Sequence, residues 1–436
     1  MELVRQCTQK AADIAIRFLI GGDQQLLEQL IERLEEIGLF EKLAELLLTM
    51  GNTPKAVQAL CKAQQWSKAK QIAAEYQPAL IPEIEAAYKE SLRNEGRLGE
   101  LIDVDVISAI DLLIERGQWE KALDTAKQTK HGPLLDKYVA QYAAELLPHG
   151  DFSKLMKVFE KYGASSNPAN FNLYRAILEQ ATEHKRDSPQ QEYDRIAPVR
   201  NLFMNIVDSM RRDDSQYLEA FERFVQALNL LALRSALELS ESSDAPRLRL
   251  KQSLSLLRYT DILPVDRIFY EAGVAAKEFD QGYENVAFVL LNHYLDLVDA
   301  IDEGNAELVD YTAFEGTDIP TEIELPQAQW TDSSEHEEIK EWVLATSVDD
   351  AAQRELLLDK RGVFEASLID GGRTYEPCII TGYPVVNSSV RVGDLVADRE
   401  ELNRFLIIVK TSQSDQLLDA QDFISKWAKS PLAMAL

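Results

Sequence analysis

The sequence has few of the residues that build metal centres and disulfide frameworks. Its three cysteines, Cys7, Cys61 and Cys378, lie far apart and form no Cys-x-x-Cys pair. The five histidines are scattered, and none lies at metal-ligand spacing from a cysteine. This pattern argues against a disulfide scaffold and against a zinc finger made of cysteines alone, so we expect neither a metal nor a cofactor. Such cysteine usage is typical of cytosolic proteins.

Long apolar runs and a surplus of basic residues are also absent. The longest apolar runs, such as 286–291 and 405–409, are far too short to span a bilayer. Residues 1–7 show no signal-peptide pattern and resemble the middle of a helix, which predicts a fragment of a longer protein. The formal net charge of −27 opposes binding to a polyanion, so nucleic acid is not an expected partner.

Helical periodicity is what the sequence has in abundance. Over residues 1–300, apolar residues recur at spacings of three and four, as in the stretch 26–37. Glycine and proline interrupt this pattern at intervals that suit ordinary helices, for example at Gly38 and Pro54. The polar stretch 184–196 is interpreted as a loop between helices. No alternating strand pattern competes in this region, so a mainly α fold is predicted.

A short motif recurs at the predicted helix starts: an aromatic residue, any residue, a lysine, then alanine or leucine. It occurs as Phe40–Leu43, Trp66–Ala69, Trp119–Ala122 and Phe152–Leu155. We interpret the aromatic residue as filling the gap between paired helices, while the lysine stays in water. An alanine three positions later lets the next helix approach closely. The motif predicts a tetratricopeptide-like α-solenoid over residues 1–300, with an irregular helical domain as the alternative.

Charge is concentrated in two places. Residues 301–350 contain 15 Asp or Glu and a single basic residue, Lys340. We predict that residues 301–360 form an acidic linker with closing helices, one of which begins near Ser333. The opposite pattern, Arg247–Lys251, is locally basic. It could hold an acidic partner or be a solvated helix face.

The last part of the chain, residues 361–436, combines strand and helix patterns. Residues 362–369 alternate and end at a tight turn, and Ser389–Gly393 predicts a second short strand. Asp398 is expected to cap a helix, and a final helix is predicted over 415–427. These elements predict a small α+β domain with its own core.

This domain resembles a U-box, the zinc-free relative of RING domains. The family pattern is Cys-Pro-Ile-(Ser/Thr), a short loop, and a helix with an arginine and apolar anchors. Here Cys378, Ile380 and Thr381 match the opening, Arg404 and Phe405 fall on the helix, and Ile424-x-x-Trp427 resembles the closing helix. The core residues that the resemblance implies are Cys378, Leu402, Phe405, Ile424 and Trp427. The residues that it implies for binding ubiquitin or a ubiquitin-conjugating enzyme are Phe364, Ile379, Ile380, Tyr383 and Pro384.

Three functions are compatible with this module: a ubiquitin-binding domain, a ubiquitin ligase of low activity, or a structural cap on the solenoid. Ligases of the family place a proline in a second loop, and no proline follows soon after Val409. The sequence therefore favours binding over ligation and predicts no catalytic residue. Cys378 is expected to be a buried structural cysteine, since no histidine lies near it in sequence.

The chain as a whole resembles the C-terminal part of the intraflagellar transport protein 172 family. The motif 377–384, Pro-Cys-Ile-Ile-Thr-Gly-Tyr-Pro, is the most specific part of the likeness, and Phe-Ile-Ser-x-Trp closes it. The resemblance implies a subunit of ciliary transport complex B that binds other intraflagellar transport subunits. It also implies a location in the cilium or flagellum and at the basal body, on the cytoplasmic side.

Overall fold

The computed structural model describes most of the chain in two compact units. The described residues are 2–18, 23–130, 132–182, 188–279, 282–315, 317–321, 323, 325–348, 356, 376–386, 388–412 and 414–434. The first unit is Met1–Leu135 and the second is Asp136–Leu436. The domain boundaries expected near residues 300 and 360 remain predictions.

The first unit is a succession of helices, each packed on its neighbours in sequence. They are α1 (Glu2–Phe18), α2 (Gln24–Ile37), α3 (Phe40–Thr49), α4 (Thr53–Lys62), α5 (Trp66–Tyr76), α6 (Ile81–Glu95), α7 (Leu98–Val104), α8 (Val106–Glu115) and α9 (Trp119–Gln128). A 3-10 turn at Pro78–Leu80 precedes α6. The core is apolar and includes Leu27, Leu34, Leu43 and Leu46. Gly38 ends α2 in the left-handed conformation, and its N–H donates to the carbonyls of Glu35 and Leu34.

The recurring motif marks helix starts as predicted. Helices α3, α5 and α9 begin at the aromatic residues Phe40, Trp66 and Trp119, and a helix of the second unit begins at Phe152. The residue three positions later is buried each time. These residues are Leu43, Ala69, Ala122 and Leu155. The motif therefore places a small or apolar side chain against the neighbouring helix.

The second unit continues the helical succession and ends in a small α+β module. Its helices are α10 (Gly132–Leu146, which spans the unit boundary), α11 (Phe152–Tyr162), α12 (Phe171–Thr182), α13 (Pro189–Arg212), α14 (Leu218–Glu238), α15 (Ala245–Leu256), α16 (Val265–Glu278), α17 (Glu284–Glu303), α18 (Ser333–Ser347), α19 (Arg399–Ser412) and α20 (Asp415–Trp427). Short 3-10 turns lie at Leu147–His149, Pro168–Asn170, Leu257–Tyr259, Ala306–Leu308 and Thr312–Phe314. The prediction of a mainly α solenoid followed by a small α+β end is confirmed.

The interpretation of 184–196 as a loop was wrong over its second half. Helix α13 begins at Pro189, because Ser188 and Gln191 form a reciprocal capping box. Tyr193 and Ile196 are buried within the first two turns of this helix. The stretch is polar because Gln191 and Asp194 are exposed and Glu192 pairs with two arginines, Arg234 and Arg267.

Helix α14 lies at the centre of the second unit. It packs against α13, α15 and α20, and residues 227–237 are buried without interruption. A helix that is buried on every side forms the core of its domain. The C-terminal module therefore shares this core with the solenoid helices.

Part of the acidic stretch packs onto α16 and α17. Phe314 is buried, with its ring centroid 5.4 Å from that of Phe269 and 4.6 Å from that of His293. Burial lowers the pKa of His293 to about 4. As predicted, a helix begins at Ser333, where the Asp332 side chain accepts hydrogen bonds from the N–H groups of Ser334 and Glu335.

The C-terminal module carries a two-stranded antiparallel sheet, β1 (Ser389–Val392) and β2 (Leu395–Asp398), in the register Ser389↔Asp398 to Val392↔Leu395. The predicted second short strand is thus confirmed, whereas the one predicted over 362–369 lies outside the described residues. Gly393, in the tight turn, has φ +58°, and a Cβ there would lie 1.8 Å from the Ala428 carbonyl oxygen. Only glycine fits this position.

Candidate interaction site at the C-terminal module

The turn at Cys378–Tyr383 is held by its own backbone. The N–H of Cys378 donates to the carbonyl of Tyr383 at 2.7 Å, and the N–H of Gly382 donates to the carbonyl of Cys378 at 2.7 Å. The thiol sulfur of Cys378 accepts a hydrogen bond from the N–H of Asp398 at 3.3 Å. Hydrogen bonds therefore fix the turn to the start of α19. Among the described residues, no group of three or more His, Cys, Asp or Glu side chains could hold a metal ion.

Three side chains of the solenoid donate hydrogen bonds to carbonyls of this turn. Asn229 Nδ2, on α14, lies 3.3 Å from the Ile379 oxygen, and Gln252 Nε2, on α15, lies 2.9 Å from the Ile380 oxygen. Arg258, in the turn after α15, donates from Nη1 to the Gly382 oxygen at 2.9 Å. Three donors on successive elements thus match three carbonyls of a single turn.

Glycine at position 382 permits this close approach. Gly382 has φ +74°, and a Cβ there would lie 2.7 Å from the Cβ of Ser255 and 2.9 Å from Cδ1 of Leu230. Any larger residue would push the turn away from α14 and α15. We call the contact between α13–α15 and the turn with α19 and α20 the seam.

The residues predicted to bind a partner lie at the seam or outside the described chain. Ile380 is fully buried and Ile379 is 6% exposed, whereas Tyr383 and Pro384 are partly exposed. Phe364 lies outside the described residues. The residues predicted to form the core of the module are all buried: Cys378, Leu402, Phe405, Ile424 and Trp427.

Ion pairs flank the turn on the α15 side. The buried carboxylate of Glu401, on α19, contacts the ammonium of Lys251, and Arg247 Nε lies 3.7 Å away. Lys251 also lies over the ring of Tyr383, 5.3 Å from its centroid. A separate pair joins Arg404 Nη1 to Asp244 Oδ1 at 3.1 Å. The basic stretch Arg247–Lys251 therefore has an acidic partner within its own chain.

A second polar cluster joins α13 to α20. The guanidinium of Arg200 is fully buried, lies 3.0 Å from Asp419 Oδ2 and stacks 3.9 Å from the ring centroid of Phe423. Asp419 also accepts a hydrogen bond from the hydroxyl of Tyr193 at 2.5 Å. Burial, reinforced by the Asp419 carboxylate, raises the pKa of Tyr193. Asp419 is thus the anchor of α20 on the solenoid.

Some buried polar atoms at the seam have no hydrogen-bond partner within the described chain. A cavity of about 190 Å³ is lined by Asn229, Leu230, Tyr259, Pro377, Cys378 and Trp427. Within the described chain, no group hydrogen-bonds to Asn229 Oδ1, Gln252 Oε1 or Ser255 Oγ, although all three atoms are buried. Buried polar atoms normally have partners, so the seam is less completely satisfied than an ordinary core.

A buried ion network joins α13, α14 and α16. Glu192 pairs with Arg267 and Arg234, and both arginines also pair with Glu271. Burial alone would raise the pKa of Glu192, but Arg267 and Arg234 outweigh it and hold the pKa at about 2. The network borders a cleft of about 610 Å³ between α13 and α16.

Sequence reasoning found the turn but not the surface that receives it. Asn229 interrupts the run Ala227–Leu233, and it is the only polar residue in that run. A single amide in an apolar helix is a signal for a specific buried hydrogen bond. Gln252 carries no comparable signal, because it lies between Lys251 and Ser253. Arg258 follows Leu256 and Leu257, but an arginine at the end of a helix is common and does not by itself indicate a buried hydrogen bond.

The fold and this site define a class: a helical-repeat protein that ends in a small α+β module docked on its own repeats. No family model matches the chain. It is 55% identical to intraflagellar transport protein osm-1 of Caenorhabditis elegans over 436 residues, which is 100% of this chain and 25% of that protein. Identity to the intraflagellar transport protein 172 homolog of Homo sapiens is 37%, over 98% of this chain and 24% of that protein.

A more distant relative, intraflagellar transport protein 172 of Chlamydomonas reinhardtii, is 28% identical over 88% of this chain and 22% of its own length. The chain belongs to the intraflagellar transport protein 172 family. It spans about a quarter of the length of the curated relatives that it matches. Membership of this family places it in the cilium or flagellum, including the basal-body region. None of the described helices is long and apolar enough to cross a membrane.

Proposed function

We propose that this chain is a protein-interaction segment of a transport complex B subunit, in which the helical repeats bind other intraflagellar transport subunits. Support comes from the repeat fold together with the family. Stacked helix pairs offer extended surfaces to partner proteins. The cleft of about 610 Å³, bordered by Arg195, Arg234, Arg267 and Trp330, is a concave surface of the described residues that is available for such a contact.

We further propose that the C-terminal module binds ubiquitin. The observation that carries this proposal is the structure of the turn at Cys378–Tyr383. Hydrogen bonds, including one to the Cys378 thiol, stabilise this turn without a metal ion. Ile379, Ile380, Tyr383 and Pro384 lie on this turn or directly after it, and we assign them to the ubiquitin-binding surface together with Phe364. Tyr383 and Pro384 are partly exposed in the docked module and would make the first contacts.

Titration of isotope-labelled ubiquitin with the whole chain, followed by NMR, tests this function. We expect saturable shifts that weaken in Tyr383→Ala and in Pro384→Ala. Ile407→Ala is the matched control, because Ile407 is an exposed apolar residue of the same module outside the assigned surface. Unchanged ubiquitin spectra at millimolar concentrations of the chain would refute ubiquitin binding.

A structural cap is the second candidate function, and the seam favours it. Ile380 is fully buried, and three solenoid donors occupy carbonyls of the turn. A solenoid needs its terminal repeat covered, and this module covers α14 and α15. The cap becomes the preferred function if ubiquitin does not bind.

Ligase activity is the third candidate and has its own assay. If this protein is a ligase, mixing it with ubiquitin and several conjugating enzymes in vitro should produce free polyubiquitin. For a ligase, the synthesis of polyubiquitin should be lost when Ile380 is substituted, because the U-box resemblance places this residue against the conjugating enzyme. Ubiquitin binding without such synthesis identifies the module as a reader.

A further inference from the structure

We infer that the solenoid surface formed by Asn229, Gln252, Ser255 and Arg258 is an intramolecular receptor that holds the ubiquitin-binding turn closed. This inference rests on the proposed function, because it assigns regulation to the same turn. Ubiquitin and the solenoid compete for Ile379 and Ile380. The module therefore binds ubiquitin fully only when it separates from α14 and α15.

Donors on the solenoid match acceptors on the turn. Side chains from three successive elements donate to the carbonyls of Ile379, Ile380 and Gly382, at 3.3, 2.9 and 2.9 Å. These carbonyls take no other hydrogen bond within the module's two strands, whose ladder involves residues 389–398 only. The receptor surface thus recognises the turn itself and not merely the bulk of the module.

The docked turn leaves no room for a partner protein at Ile380. Ile380 is fully buried, and the backbone at Gly382 approaches Ser255 and Leu230 too closely for even a methyl group. A protein partner needs several Å of free space around the residues that it contacts. Ubiquitin and the solenoid therefore cannot occupy Ile380 at the same time.

The composition of the seam is suited to separation. Its centre holds buried polar atoms without partners in the described chain, on Asn229, Gln252 and Ser255. Ion pairs also cross the seam: Arg404 with Asp244, and the buried Arg200 with the partly exposed Asp419. Water can take over these polar groups when the surfaces part, whereas an apolar core would lose its main stabilisation.

An ion pair between α20 and α13 gives electrostatic control of docking. Asp419, on α20, is 52% exposed at its side chain but pairs with the fully buried guanidinium of Arg200. Tyr193 donates a second hydrogen bond to the same carboxylate. A cation at position 419 would face the Arg200 cation directly, so this position controls docking without contributing to the turn.

The test compares Asp419→Lys with Asp422→Lys in the whole chain. Both positions lie on α20 and both changes alter the charge equally, but the exposed Asp422 has no such contact with the solenoid. Far-UV circular dichroism verifies the fold of each variant. Deuterium uptake by peptides covering 376–386 reports separation, and calorimetric titration reports ubiquitin affinity.

We expect Asp419→Lys to raise deuterium uptake at 376–386 and to tighten ubiquitin binding about tenfold or more, because affinity scales with the fraction of open module. Asp422→Lys should match the parent in both measurements. Gln252→Glu, which places a carboxylate against the Ile380 carbonyl, is the second opening variant. It should act in the same direction.

Two results would overturn the inference. In one, an opening variant takes up more deuterium at 376–386 but binds ubiquitin with the affinity of the parent. Ubiquitin binding would then stand, but docking of the module would not control it. The other is parental uptake in both Asp419→Lys and Gln252→Glu, which shows that the turn does not open. If neither the parent nor an open variant binds ubiquitin, the proposed function itself fails.

Discussion

The first unit and the seam of the second unit are built from similar helices, but the side chains that they bury differ in polarity. Between α2 and α6 the buried side chains are apolar, such as Leu34, Leu46 and Ala69. At the seam the buried groups include Arg200, Asn229 and Gln252. Stacking of repeats needs only matching volumes, whereas recognition of one particular turn needs donors placed opposite its carbonyls. Buried polarity in this chain therefore marks a specific contact.

The largest loss of stability is expected for a charged substitution at Cys378, which is buried in the C-terminal module. Cys378→Arg puts an unpaired charge into a buried position, which costs about 3–5 kcal/mol or more, so the module should unfold. Thermal unfolding followed by tryptophan fluorescence, to which Trp427 of the module contributes, measures this loss. Cys378→Ala keeps a small apolar side chain and should retain the folded module. A parental melting temperature for Cys378→Arg would show that the cysteine is not a core residue.

The buried ion network should show the next largest effect. Glu192→Gln removes one of the two carboxylates that Arg267 and Arg234 share, leaving Glu271, and should destabilise the second unit by about 3 kcal/mol. The exposed Glu219 provides the matched control, Glu219→Gln, with a change of about 0.5 kcal/mol or less. Urea unfolding at pH 7 separates the two outcomes. Equal midpoints would indicate that the network adds nothing to stability.

The same carboxylate gives a pH dependence with a definite sign. The pKa of Glu192 is lowered to about 2 in the folded chain from an ordinary value of 4.5. Its stabilisation is therefore complete above pH 4.5 and is lost as the pH falls from 4.5 towards 2. The difference in unfolding free energy between the parent and Glu192→Gln should shrink over this window. A difference that stays constant down to pH 2 would contradict the lowered pKa.

Replacing a buried alanine by a larger residue tests whether the helices of the first unit pack closely against each other. Ala69 is fully buried where the next helix approaches α5, so Ala69→Leu should cost about 1–3 kcal/mol. Lys68 is exposed one position earlier, and Lys68→Leu should change the free energy of unfolding by about 0.5 kcal/mol or less. Urea midpoints compare the two variants. A tolerated leucine at position 69 would mean that the helices do not approach closely there.

The smallest effect is expected for an exposed ion pair in the first unit. Lys62 Nζ lies 2.6 Å from Glu35 Oε1, and both side chains are about half exposed. Solvent and salt screen such a pair, so Lys62→Gln should leave the urea midpoint essentially unchanged. A clear loss of stability in Lys62→Gln that disappears at high salt would show that surface charge also holds the repeats together.

Local patterns were enough to predict the repeats. Phe40, Trp66, Trp119 and Phe152 each begin a helix, and Gly38 ends one, because helix starts and stops depend on neighbours within a few residues. The stretch 189–196 was misjudged, since a capping box outweighed its polar composition. The strand Ser389–Val392 and the burial of Cys378 also follow from local alternation and residue type.

The receptor for the turn could not be predicted in the same way. Asn229 and Ile379 are 150 positions apart, and Arg200 and Asp419 are 219 apart. No local pattern encodes which of many polar residues will meet across such a separation. The basic stretch Arg247–Lys251 illustrates this, because its charge was evident while its partner Glu401 was not.

The sequence alone determined most of the helices, the strand Ser389–Val392 and the family, since all three depend on residues that act through periodicity, capping and motif. The tertiary structure alone decided that Ile379 and Ile380 are covered. Covering them depends on α14 and α15 presenting Asn229, Gln252 and Arg258 at the right distances, and only packing around the buried helix α14 sets those distances.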